Sequence, residues 1–291
     1  MKFGANTLIW SESFGPEHFD VLPRLKEAGF DGIEIAMLSP AATPAIAIRR
    51  ELAKYGFECT CCSAFGPGVN LASEDAAVRA KAMTHVRDAL SAAAEMGASL
   101  LVGPLYTPVG YLTGSRRTDE ERRRVLDCWH ELRADVAKSG LKVAIEPLNR
   151  FETYFFNLAS DVAKFCDDLG DPNIGILLDT FHCNIEEKSI GQALKAAGRH
   201  LMHIHACEND RGIPGTGNVN WPEFFQKLAE IGYDGWLTIE SFDFSLRAIS
   251  AAAAIWRDLA PTPVSIAVEG VRFLRQNVEN GMGKSRGHSI H

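Results

Sequence analysis

Glu146, Asp179, His205 and Glu240 are the residues whose types and settings point to chemistry. Each of the three acids closes an apolar run, in Val-Ala-Ile-Glu146, Ile-Leu-Leu-Asp179 and Leu-Thr-Ile-Glu240, so each charge borders the protein interior and needs a partner there. Three carboxylates gathered at one point would repel and raise one another's pKa. A dication offsets two of the three charges and keeps them ionised. The four side chains together therefore read as a divalent-metal site. Oxygen-rich ligation with a single nitrogen favours Mn2+, with Mg2+ or Co2+ as alternatives, over structural Zn2+. Further polar residues follow at short intervals: Glu152 six after Glu146, His182 three after Asp179, and Arg211 six after His205. Arg211 would bring a cation to a cluster left slightly negative by one dication and three carboxylates. Each of these three also has a plain structural reading: Arg211 on the surface, His182 as a helix cap, Glu152 as a partner of Arg150. His203 shares a strand face with His205 by the period of two and sits deeper, as a supporting or core histidine.

Bringing the four residues together requires a scaffold that points strand ends at one place. Short β-prone runs alternate with longer helical stretches eight times, with strands expected at 3–9, 32–36, 57–63, 99–103, 141–146, 174–179, 201–206 and 236–240. Several runs are almost continuously apolar, as parallel strands covered on both faces are. Thr118 and Glu121 have capping-box spacing ahead of Val125, Trp129, Leu132 and Val136 on one helix face. A second helix opens after Ser73 with the stripe Val78, Ala82, Val86, Ala89 and Ala93. Glu27-Ala-Gly-Phe-Asp-Gly32 and Glu230-Ile-Gly-Tyr-Asp-Gly235 repeat one helix-to-strand turn. Eight such units predict an α/β fold, a single-domain (β/α)8 TIM barrel over 1–280, whose C-terminal strand ends share one mouth. A final helix is expected at 264–277 and a flexible tail at 281–291. A doubly wound open sheet is the rival, weakened because Ile9-Trp-Ser-Glu-Ser13 after the first strand is no phosphate loop.

Composition narrows the partners. The 291 residues carry a formal net charge of −7, which argues against nucleic acid. The one concentrated basic run, Arg116, Arg117, Arg122, Arg123 and Arg124, is interrupted by acids and reads as a solvated helix start. No run approaches the roughly 18 apolar residues of a membrane span, and no signal-peptide pattern is visible. Seven cysteines, an odd number scattered through apolar segments, read as reduced core thiols, so a cytoplasmic location is expected.

The sequence resembles the ketose 3-epimerases, a family that includes D-tagatose and D-psicose (D-allulose) 3-epimerases, within the xylose-isomerase-like barrels. The resemblance rests on Glu146-Pro-Leu-Asn-Arg-Phe-Glu152, Leu178-Asp-Thr-Phe-His-Cys-Asn-Ile-Glu-Glu187, His203-Ile-His-Ala-Cys-Glu-Asn-Asp-Arg211 and Gly232-Tyr-Asp-Gly-Trp-Leu-Thr-Ile-Glu240-Ser-Phe242, and runs from Gly4 to Asp258. It implies that Glu146, Asp179, His205 and Glu240 bind the metal, that Glu146 and Glu240 double as acid and base, and that Glu152, His182 and Arg211 hold the O1–O2 end of the sugar. It also implies a homodimer or homotetramer and no organic cofactor. Inverting C3 requires a proton to leave one face of the sugar and return to the other, with the metal polarising the ketone. Asn6 and the loop Tyr106-Thr-Pro-Val-Gly-Tyr111 depart from the aromatic pattern of D-psicose epimerases, and Ser241 stands where proline is common. Ketohexoses (D-tagatose, D-fructose/D-psicose) and ketopentoses such as L-ribulose are therefore both open as substrates. The rivals are an aldose–ketose or hydroxypyruvate isomerase, a barrel phosphodiesterase acting on abasic DNA, and a non-catalytic sugar-binding barrel.

Overall fold

In the computed structural model, which describes residues 1–286, eight parallel strands close into a barrel in chain order. They are β1 (Lys2–Asn6), β2 (Gly32–Ala36), β3 (Glu58–Cys62), β4 (Leu100–Gly103), β5 (Lys142–Ile145), β6 (Ile174–Asp179), β7 (Leu201–His205) and β8 (Trp236–Ile239). Closure is made by β1 against β8, where Lys2 pairs with Trp236 and Ala5 with Ile239. This rules out the open-sheet alternative. The strands lie inside the expected runs except for β1, which begins at Lys2 and stops at Asn6. There the Asn6 side chain accepts the Leu8 amide and turns residues 7–9 into a 3-10 helix.

The helices are α1 (Leu22–Ala28), α2 (Ala45–Tyr55), α3 (Ala76–Met96), α4 (Asp119–Ser139), α5 (Ala159–Leu169), α6 (Thr180–Glu186), α7 (Ile190–Ala197), α8 (Trp221–Glu230), α9 (Arg247–Ala252) and α10 (Pro263–Arg286). Their apolar stripes pack on the outward faces of the strands. Helix α4 shows the expected capping box, and its Val125, Trp129, Leu132 and Val136 are all buried. On α3 the stripe from Ala82 to Ala93 is buried, while Val78 is only half-buried and Asp75 rather than Ser73 caps the helix. In the two repeated turn phrases Gly29 and Gly232 both adopt left-handed backbone, where glycine carries no Cβ penalty. Helix α10 runs past the expected end at Asn277, because buried Val278 continues the stripe of Val271 and Leu274 and no proline stops it. Residues 281–286 of the expected tail are thus helical, and 287–291 lie outside the described residues.

The basic run around α4 is not simply solvated. Arg117 donates to the Phe155 carbonyl and lies over the Phe155 and Phe156 rings, and Arg122 pairs with Asp168. Arg117 thus ties the loop before α4 to the β5–α5 connection, and Arg122 ties α4 to α5, an outcome of packing that charge counting does not foresee.

The period of two along each strand divides the core. Ile33, Ile35, Leu101, Val143, Ile145, Ile204, Leu237 and Ile239 face the helices. The alternate residues face the barrel axis, where Cys62, Val102, Ala144 and Leu177 share the space with Asn6, Glu34, Thr60, His203, His205 and Thr238, all buried. A polar layer inside a barrel must satisfy its own hydrogen bonds, and it lies directly beneath the mouth.

Candidate active site

Glu146 follows the last residue of β5, Asp179 ends β6, His205 ends β7 and Glu240 follows β8, so the four residues meet at one mouth of the barrel. One ligand atom from each lies within 4.8 Å of all the others, and all four residues are buried. Two of these atoms, Glu146 Oε1 and His205 Nδ1, have no hydrogen-bond partner although they are sealed from solvent. Buried lone pairs left unsatisfied in a cluster of three carboxylates and one imidazole fit a divalent cation. His205 Nδ1 is 3.4 Å from Glu240 Oε2, and the charges of Glu240 and Glu34 more than offset burial and raise its pKa well above the ordinary range, so a metal ion at Nδ1 would have to displace a proton. Burial, with the charges of Glu240 and Asp179, raises the Glu146 carboxyl well above the ordinary range against the pull of His205. Burial likewise raises Asp179 against the pull of Arg211. Glu240 is shifted down, because His205 and Arg211 outweigh its burial.

Arg211, Glu152 and His182, which could each have been purely structural, face the same space. Arg211 is buried, donates from Nη1 to Asp179 and Glu240, and stacks on Phe181 at 4.1 Å. Its backbone φ of +65° is unusual for a residue with a Cβ, and the surrounding loop holds it there. Ser241 Oγ donates to the Arg211 carbonyl. The Arg150 side chain pairs with Glu186 instead of Glu152, leaving Glu152 hydrogen-bonded to Asn149 and its carboxyl raised, chiefly by burial. His182 is on α6, and its Nδ1 accepts the Asn149 amide at 3.1 Å. The ring proton is accordingly on Nε2, so the 3.2 Å approach of Arg211 Nη2 joins two donors and leaves Nε2–H turned toward Glu146 at 3.6 Å. Burial, with Arg211 and His205 nearby, keeps this imidazole neutral by pushing its pKa well down.

These residues line a cavity of about 330 Å³ whose other walls are apolar, including Leu8, Phe65, Val109, Leu148, Phe242 and Ile249. Close approach of the chain shapes its floor. Gly103 has φ +132°, and a Cβ there would lie 2.1 Å from the Ser63 carbonyl oxygen.

One residue escaped the sequence reading. Glu34 sits on the inward face of β2, fully buried beneath the site, 2.7 Å from His205 Nε2. Burial alone would raise its pKa, but His205 and His203 outweigh that and hold it well below the usual carboxylate range. Its signal was an acid inside an otherwise apolar strand, Gly-Ile-Glu34-Ile-Ala, without the position at a strand end that marked the others. His203 is buried as expected and comes within 2.8 Å of Glu34, out of hydrogen-bond alignment.

The Xylose isomerase-like TIM barrel family matches residues 22–277. A probable ketose 3-epimerase of Synechocystis sp. is 36% identical over 280 residues, which cover 96% of this chain and 97% of that relative. The chain belongs to the ketose 3-epimerase family. A D-psicose 3-epimerase of Agrobacterium fabrum is 35% identical, over 86% of this chain and 87% of its own. The crystal structure of a Methylomonas sp. D-allulose 3-epimerase in complex with D-allulose matches with a TM-score of 0.91 at 29% identity, covering 95% of this chain and 97% of that one. The protein is thus an enzyme of the isomerase class, an epimerase by family. Its departures from the psicose-epimerase pattern have local jobs. Asn6 Nδ2 reaches Glu34 and Glu240, and the Tyr106 hydroxyl donates to the Glu146 carbonyl at 2.9 Å. Among the described residues no helix is long and apolar enough to cross a membrane.

Proposed function

We propose that this enzyme inverts C3 of a free ketose, a ketohexose such as D-tagatose or D-fructose/D-psicose or a ketopentose such as L-ribulose, with Glu146 and Glu240 as the acid–base pair. The observation that carries this reading is the pair itself: two buried carboxylates at the ends of β5 and β8 lining one cavity, with electrostatic surroundings that push their proton affinities in opposite directions. Glu146, Asp179, His205 and Glu240 would hold one divalent ion, Mn2+ by preference, which would supply Lewis-acid polarisation of the ketone and stabilise negative charge on its oxygen. One glutamate takes the C3 proton from one face of the sugar, and the other returns a proton to the opposite face of the planar enediolate. The roles exchange in the reverse direction. His182 Nε2–H and the Arg211 guanidinium donate to the O1–O2 end of the sugar, and Glu152 accepts from a hydroxyl there. The apolar walls keep water from the carbanionic carbon.

A cytoplasmic setting is supported by the seven buried free thiols. Assembly as a homodimer or homotetramer is supported by exposed Tyr111, Leu112 and Phe151 on two loops joined by the Gly110 amide and the Glu152 carbonyl.

The test is exchange of the C3 hydrogen in deuterated water. Glu146→Gln and Glu240→Gln are each expected to lower exchange by about 10²–10⁴-fold, the usual worth of a positioned acid or base. Wild-type exchange in either variant would remove the two-glutamate mechanism. Release of an aldose instead of the C3 epimer would reassign the reaction to C1–C2 isomerisation.

A further inference from the structure

We propose that Glu34 is a positioning residue for the metal site, fixing the His205 ring directly and the Glu240 carboxylate by way of Asn6. The inference rests on the metal reading above and adds a residue that lies outside the ligand set.

Three donors converge on this one carboxylate. His205 Nε2 lies 2.7 Å from Oε1, Asn6 Nδ2 is 2.9 Å from the same oxygen, and Thr60 Oγ1 donates to Oε2 at 3.0 Å. An ionised carboxylate can only accept, so the His205 proton must be on Nε2, and Nδ1 presents its lone pair to the other three ligands. That nitrogen is one of the two buried, unpartnered atoms of the cluster. Metal-binding histidines depend on such an arrangement, in which the far ring nitrogen donates to an acid that sets the tautomer and strengthens the ligand.

The second arm runs through Asn6. Its Oδ1 accepts the Leu8 amide at 2.8 Å, which fixes the orientation of the side-chain amide. Nδ2 is then left to bridge Glu34 Oε1 and Glu240 Oε1, the latter at 3.2 Å. Glu34 thereby links two ligands that come from neighbouring strands, from a place on the far side of the barrel axis. The whole network is buried, so no water competes for these bonds.

The experiment is titration of the chelator-stripped enzyme with Mn2+ by calorimetry, together with the visible absorption of the Co2+-loaded protein. Glu34→Gln keeps the shape but replaces one accepting oxygen with a donor. It is expected to weaken Mn2+ binding by about 10–100-fold and to shift the Co2+ bands while the far-ultraviolet circular dichroism stays native. Thr60→Val removes only the donor to Glu34 Oε2, so it should weaken Mn2+ binding in the same direction by less; it also serves as the reading should Glu34→Gln not fold. If wild type binds Mn2+ tightly and the folded variants bind it equally with unchanged Co2+ bands, even at a lower melting temperature, Glu34 is merely structural and the proposal falls. A wild-type protein that binds neither ion would instead overturn the metal reading, and this inference with it.

Discussion

Glu146 and Asp179 are both buried acids whose pKa is raised in the metal-free chain, Glu146 strongly, by burial first and, at both, by the charge of Glu240. A carboxylate with a raised folded pKa favours the folded state while protonated and loses that contribution as the pH rises through the folded value. Metal binding must displace those protons, and the one that the raised pKa of His205 holds on its ring, so affinity should fall as the pH is lowered. The depressed acids, Glu240 and Glu34, titrate below the ordinary carboxylate range and do not reverse the trend. Calorimetric Mn2+ titrations at several pH values, in buffers of differing ionisation enthalpy, should show weaker binding and more proton release toward acid. Affinity independent of pH would remove Glu146 and Asp179 as ligands. At this scale the candidate ligands were legible because each acid interrupts an apolar run at the place where a strand must end. Glu34 was not, because an acid between two apolar residues in mid-strand fits equally a solvent-facing side chain, and only the closed barrel brings the histidine to it.

At the scale of elements, the loop from β7 to α8 carries Arg211, and a single buried acid organises it. Glu208 accepts the amides of Asn209, Gly215 and Val219 and the Trp221 indole N–H, all within 3.0 Å. Glu208→Ala would leave these buried donors unsatisfied, at about 1–3 kcal/mol apiece before the loop relaxes. The variant is expected to lose at least about 3 kcal/mol in urea unfolding and to raise KM as Arg211 leaves its left-handed backbone. Unchanged stability would show that water replaces the carboxylate. The sequence announced helix starts, as in Thr118 and Glu121, because a cap involves neighbours three residues apart. It did not announce α6 and α9, short helices inside βα connections, since a helix of so few residues forms only when its neighbours hold it.

For the whole molecule, four strands converge on the site, so a cation held by Glu146, Asp179, His205 and Glu240 would tie β5, β6, β7 and β8 together at the barrel mouth. Ligand bound only by the folded state stabilises it by mass action, by about 4 kcal/mol when free ion is a thousand times its Kd. Chelation is therefore expected to lower the melting temperature by several degrees and to abolish turnover, with both restored by Mn2+. Full activity after exhaustive dialysis against chelator would refute metal dependence. The order of eight βα units and the placing of four candidate ligands at strand ends were decided by the sequence itself, because both follow from local periods and from polar residues at the ends of apolar runs. Only barrel closure decided that Glu34 meets His205, residues 171 positions apart on strands that do not pair, because which inward side chains touch across the axis depends on register and twist summed around all eight strands.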